Sequence, residues 1–256
     1  MLMSGIKVSW LLKEIDKELE TYEVNDDTIL IRYMDFSKFI SFLENGLYLT
    51  RADKFEDPLE GAVPSWYSTL PSHSHIYSQE EKERRLEKAK VTVEEASKLR
   101  EKAFISCWNE YEDESYALWQ IYAKYQGVAI QTTKSKLEKL LQGTSSKIYR
   151  VKYMKETKGM VFAPELDEGI ADNVPMNFFV HKKKHYTYEQ EVRVIQFNEK
   201  SELDPIEIPD LNDFIDKIYI SPFADVWFPS LVQKLIKERY KLNIEVEKSA
   251  IEIFNR

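Results

Sequence analysis

TILIRYMDFSKFISFLENGLYLTR, running from Thr28 to Arg51, carries the clearest structural signal in the chain. Thr28 to Met34 is rich in β-branched and aromatic residues and predicts a strand. Asp35 is placed to cap a helix over Phe36 to Glu44, whose apolar stripe is Phe36, Phe39, Ile40 and Leu43. Gly46 suits the residue just past that helix, and Leu47 to Arg51 predicts a second strand.

Outward from this unit the signals alternate irregularly. A short amphipathic helix is predicted at Trp10 to Glu20, and a Pro- and Ser-containing loop over Ala52 to Ser78. Gln79 to Lys102 is charged and helix-forming with few large apolar residues, which predicts a solvated helix. Strands are expected at Ala103 to Trp108, Val128 to Thr132, Ile148 to Met154, Val192 to Phe197, Ile218 to Ile220 and Ile244 to Val246. Helices are expected at Ser115 to Tyr125, Lys134 to Leu141 and Leu231 to Lys241. Lys155 to Asn173 lacks periodicity. The pattern predicts an α+β fold: a mixed, largely antiparallel sheet with flanking helices. It reads as a single domain over 1–256, with a charged helical insertion near 76–102.

Composition narrows the chemistry. The 256 residues hold 36 Lys+Arg against 44 Asp+Glu, a formal charge of −8. That balance argues against bulk electrostatic capture of nucleic acid or anionic membrane. The seven glycines never fall at a G-x-G spacing, so there is no glycine-rich phosphate loop. Cys107 is the only cysteine, which excludes intrachain disulfides and multi-thiolate zinc sites. No apolar run reaches the ~18 residues of a membrane span. Met1 to Leu12 lacks the marks of a signal peptide, and a cytoplasmic location is expected.

Several stretches could carry chemistry. In Tyr188-Glu-Gln-Glu-Val-Arg-Val194, an extended backbone puts Glu189, Glu191 and Arg193 on one face. The two carboxylates would then lie about 7 Å apart along the strand, a spacing that suits glycosidic-bond chemistry. A solvent-facing strand with weak cross-strand ion pairs is the alternative. Arg32 interrupts an apolar strand, where a guanidinium meets either solvent or a bidentate anion. Asp57 and Glu60 fall in an acidic turn that could hold a hard cation such as Mg²⁺ or simply shape the loop. Ser106 could hold a ribose, and Cys107 reads as core. Tyr116, Trp119 and Tyr122 share one helix face, as core or as a ring-stacking edge. The His73/His75 and His181/His185 pairs lack a metalloprotease pattern, and Lys182 to Lys184 crowds the second with positive charge. No metal is expected.

Three stretches together carry a resemblance: LIRYMDFSKFISFLENGLYLTRADKFEDPLEG (Leu30 to Gly61), FISCWNEYEDESYALWQIYAKYQGVAI (Phe104 to Ile130) and KKKHYTYEQEVRVI (Lys182 to Ile195). Through them the chain resembles the bacterial domain-of-unknown-function family 2971. The layout is also similar to the ADP-ribosyltransferase-like fold. That second resemblance implies NAD as substrate, with Arg32 and Tyr33 on the first strand, Ser106 on a middle strand and Glu191 on a late strand around it. It gives Glu189 the part of auxiliary carboxylate, and makes Tyr116 or Trp119 the ring-stacking residue. Tyr33 in place of a small residue and Ser-Cys-Trp in place of a Ser-Thr-Ser run depart from that pattern.

The activity so implied is ADP-ribosyl transfer or NAD hydrolysis. Its partner would be a small-molecule nucleotide, with a protein or nucleic-acid acceptor left open and no membrane involved. Two rival readings stand beside it. One is a non-catalytic ligand-binding or sensor module in phage defence or toxin biology. The other is a metal-dependent nuclease built on Asp57, Glu60 and the late carboxylates.

Overall fold

The computed structural model describes residues 24–55, 61, 78–154 and 179–253. The elements, in chain order, are β1 (Ile29–Asp35), α1 (Phe36–Asn45), β2 (Thr50–Arg51), α2 (Gln79–Arg100), β3 (Ala103–Glu110), α3 (Tyr116–Leu118), β4 (Gly127–Thr133), α4 (Lys134–Leu140), β5 (Lys147–Arg150), β6 (Lys152–Met154), β7 (His181–Lys183), β8 (Glu191–Phe197), α5 (Leu211–Phe214), β9 (Lys217–Ile220), α6 (Phe228–Lys234) and β10 (Glu245–Lys248). The helix predicted at Trp10 to Glu20, the acidic pair Asp57 and Glu60, and His73 and His75 lie outside the described residues.

Eight strands form one sheet in the order β10-β9-β4-β1-β3-β8-β5, with β2 also paired to β3. Every pairing in it is antiparallel except β9 with β10. The fold is therefore α+β with a mixed, largely antiparallel sheet. A separate two-stranded parallel pair joins β6 to β7.

The predicted strand–helix–strand start is present, and its caps explain it. The Asp35 side chain accepts a hydrogen bond from the Lys38 N–H and opens α1. Gly46 closes it at φ 92°, with its own N–H bonded back to the Phe42 carbonyl. The second strand is shorter than predicted. Leu47 instead exchanges both backbone hydrogen bonds with Ile206, and only Thr50 and Arg51 reach β3. Ile148 to Met154 is not one strand: the chain breaks at Val151, so that β5 pairs with β8 while β6 pairs with β7. The charged helix α2 is present. Ser78 caps it, and pairs such as Glu94–Lys98 at 2.7 Å line its surface. No helix among the described residues is long and apolar enough to cross a membrane.

Both faces of the sheet are covered, by different means. On one face Leu30, Met34, Phe104, Trp108, Val128, Ile130, Val192, Val194, Ile218 and Ile220 pack with apolar residues of α1, α4, α5 and α6. The other face is split. Ile31, Tyr33 and Ala129 pack with Leu118, Trp119 and Ala123, while Ala103, Ile105, Ile195 and Phe197 pack with Ala52, Phe179 and Val180. Between these two clusters the alternation of β3 and β8 brings Cys107, Asn109, Glu191 and Arg193 to the same face.

Gly46 makes this architecture testable. A Cβ there would meet the Ile206 carbonyl oxygen at 2.2 Å, at a φ that side chains rarely adopt. Gly46→Ala is expected to cost about 2–3 kcal/mol of unfolding free energy, measured by urea titration at unchanged m-value.

Candidate functional site

The polar interval on the split face holds a network that links four charged side chains among the described residues. It begins with a backbone reversal. Lys184–Glu189 is a 3₁₀ helix, and Gln190 ends it in the left-handed region at φ 39°, ψ 56°. The predicted extended run through Glu189 and Glu191 is thus corrected: only Glu191 onward is strand. The two carboxylates still meet on one side, because the single left-handed residue swings Glu189 back beside Glu191. The Asn109 side chain fixes that turn by donating to the Glu189 carbonyl oxygen at 2.8 Å.

Neither carboxylate faces bulk water. Glu189 is 4% exposed, Glu191 2% and Arg193 not at all. The Arg193 guanidinium donates through Nε and Nη2 to the two oxygens of Glu191, at 2.8 and 3.0 Å, and through Nη1 to the Phe179 carbonyl. Lys182 Nζ lies 2.7 Å from Glu189 Oε2 and 2.8 Å from Glu191 Oε2, so one ammonium serves both acids. Among the described residues each carboxylate has a cation beside it, which is what an ionised group needs to persist out of water. The alternative of a solvent-facing strand is corrected on the same ground.

Burial pushes the Glu191 carboxyl up. The charges of Arg193 and Lys182, with hydrogen bonds from Arg193 and Cys107, outweigh it and bring the pKa down to about 2. Tyr153, carried on β6, accepts the Glu191 backbone N–H through its hydroxyl at 2.8 Å. The parallel β6–β7 pair aligns Tyr153 with Lys182 and so delivers both to Glu191. Lys183 and Lys184 point outward, so the basic run is divided between a buried ion pair and the surface.

The network opens to solvent at Tyr122. Its hydroxyl donates to Glu189 Oε1 at 3.0 Å while the residue remains 43% exposed. Burial and the Glu189 charge both push the phenol's pKa up, although Lys182 opposes them, so it stays a proton donor through neutral pH. Tyr122 belongs to a π-helical turn, Trp119–Ala123, closed by the Lys124 N–H on the Trp119 carbonyl oxygen at 2.7 Å. Such wide turns recur at functional sites. A cleft of about 330 Å³ lies one residue further on, lined by Asp35, Phe36, Ala123 and Tyr125 among others.

The structure does not gather all the predicted site residues. Ser106 and Arg32 point to the opposite face of the sheet from Glu191: Ser106 pairs across the strands with Val194, and Arg32 with Ile130. Trp119 and Tyr33 are core residues, ring against ring at 4.9 Å. Their polar atoms are taken by Glu114 and the Ser115 N–H, so neither ring faces a ligand. Tyr116 is exposed against Phe223. Lys182 and Tyr153 complete the site without having been singled out for it. One signal was available: Lys182 opens the basic run seven residues before Glu189.

Residues 118–194 match the family described as Protein of unknown function (DUF2971). The matched stretch contains Tyr122, Tyr153, Lys182, Glu189, Glu191 and Arg193, and leaves out Arg32 and Ser106. No curated protein and no solved structure matches the chain.

Removing one cation strands a buried anion. Arg193→Met is expected to cost about 3–5 kcal/mol in urea unfolding at pH 7. The Glu191 pKa is depressed in the folded state, so the stability it contributes is present above its ordinary value of 4.5 and is lost as pH falls toward about 2. Wild-type stability should therefore fall across that window, and Glu191→Gln should flatten the fall.

Proposed function

We propose that the chain is an NAD-consuming enzyme, an ADP-ribosyltransferase or NAD glycohydrolase, whose acidic centre is Glu189 with Glu191. One observation carries this reading: two buried carboxylates stand side by side on one ammonium, and one of them touches a solvent-exposed phenol. Fixed charge in a dry site is the arrangement that stabilises a developing charge of opposite sign.

In the proposed reaction the C1′–N bond of the nicotinamide riboside breaks, and its electron pair leaves with the ring nitrogen. Positive charge develops at C1′ beside the carboxylates. A lone pair on water, or on an acceptor nucleophile, forms the new bond at C1′. The nucleophile's proton passes to Glu189, the carboxylate whose Oε1 lies toward the exposed side. Glu191 is committed to Arg193 at both oxygens and acts as a fixed negative charge. Tyr122 positions Glu189 and edges the entering ring.

The second reading, a ligand-binding module without turnover, is favoured by the pairing of both carboxylates with cations. A structural ion network would have that same pairing. The test is incubation with nicotinamide-labelled NAD. The enzyme reading expects nicotinamide release that drops about 100-fold or more in Glu189→Gln, with the fold checked by circular dichroism. Equal release by wild type and variant overturns the assignment. An NAD-induced thermal shift with no release supports the binding module instead.

A further inference from the structure

Four arginines lie on strands, and three of them have a carboxylate. Arg51 pairs with Asp53, Arg150 with Glu110 and Arg193 with Glu191, each within 2.8 Å. Arg32 pairs with no carboxylate and makes no hydrogen bond among the described residues. Among the described residues its guanidinium lies over the Trp108 ring, 5.7 Å from the guanidinium carbon to the ring centroid. The next carboxylate along that side of β3, Glu110, is already held by Arg150 at 2.7 and 2.8 Å. Withdrawing a guanidinium from water without a counter-charge is costly, and a cation–π contact recovers only part of that cost.

The same face holds two further unsatisfied polar atoms. Trp108 Nε1 and Ser106 Oγ are both buried without a hydrogen-bond partner, in residues 0% and 1% exposed. Alternation along β3 places Ser106 on the side of Trp108, about 7 Å along the strand. The sheet is also interrupted here. β1 pairs with β3 only at Leu30↔Glu110 and Ile31↔Asn109, and β2 takes over at Ile105 and Phe104, so Ser106 to Trp108 lie between the two ladders. Arg32 borders this interruption and is partly exposed. Burial lowers its pKa, partly offset by Cys107.

We propose that Arg32, Trp108 and Ser106 form a binding site for a phosphoryl group, on the opposite face of the sheet from the carboxylates. A guanidinium fork, an indole N–H and a hydroxyl can all donate, and together they match an oxoanion with three free oxygens better than a carboxylate with two. The site does not depend on the NAD chemistry, because binding is read without turnover.

The experiment is isothermal titration of the full chain with inorganic phosphate, pyrophosphate and acetate at constant ionic strength. Saturable binding of phosphate or pyrophosphate is expected, with acetate much weaker. Arg32→Met should weaken it about tenfold or more, and Ser106→Ala should weaken it measurably. Because Arg32→Met removes a partly buried charge that has no carboxylate partner among the described residues, its melting temperature without anion should equal or exceed that of wild type. Arg32→Lys keeps the charge but loses the fork, and should also weaken binding if Arg32→Met does not fold. Absence of saturable binding to wild type overturns the proposal. So does equal binding by a folded Arg32 variant, or acetate binding as tight as phosphate.

Discussion

A single ammonium, Lys182 Nζ, stands between two buried carboxylates, and the polar half of this molecule is arranged around it. Two carboxylates this close cannot both stay ionised out of water unless cations match them. Lys182 supplies one charge to both, and Arg193 supplies a second to Glu191. The requirement reaches back into the fold. The break at Val151 buries that side chain, and it also opens the parallel β6–β7 pair, while the left-handed Gln190 turns the chain into β8. Each is accounted for by the need to bring Lys182, Tyr153 and Glu189 to the head of β8.

The sheet divides the chemistry as well as the core. One face gathers the acids with their cations, and the other holds a cation with no acid. The strand between them, β3, contributes to both: Cys107 hydrogen-bonds Glu191 on one side, while Ser106 and Trp108 lie on the other. A change in the pairing of β3 would therefore be felt in both places. Its interrupted edge, shared between β1 and β2, is where such a change has least backbone resistance.

The first strand and helix were legible because every local signal agreed: β-branched residues, an Asp cap, an apolar stripe and a glycine stop. The antiparallel α+β class followed from many short strands between unequal helices. Other parts depended on information that a single sequence does not contain. Alternation along Tyr188 to Val194 assumed one backbone conformation, and the left-handed Gln190 broke it while preserving the proximity that the pattern suggested. Alternation within a strand is readable, but which face it shares with a distant strand depends on register. For that reason Arg32 and Ser106 seemed free to join Glu191. Lys182 reads as one member of a solvated basic run, because its burial comes from a strand partner 29 residues earlier, Tyr153↔Lys182. Trp119 and Tyr122 share a face in an ideal helix, and in the π turn they part company, one into the core and the other toward Glu189.

That π turn gives the site an exact tolerance for chain length. The Lys124-to-Trp119 hydrogen bond encloses one residue more than an α-helical turn would. Deleting a residue between Trp119 and Lys124 would let the segment relax to ordinary helical winding, with Trp119 still anchored in the interior. The phenol at position 122 would then rotate off the rim and leave Glu189 uncovered. In this part of the chain a substitution changes a contact, whereas a frame-preserving indel would re-aim the doorway itself.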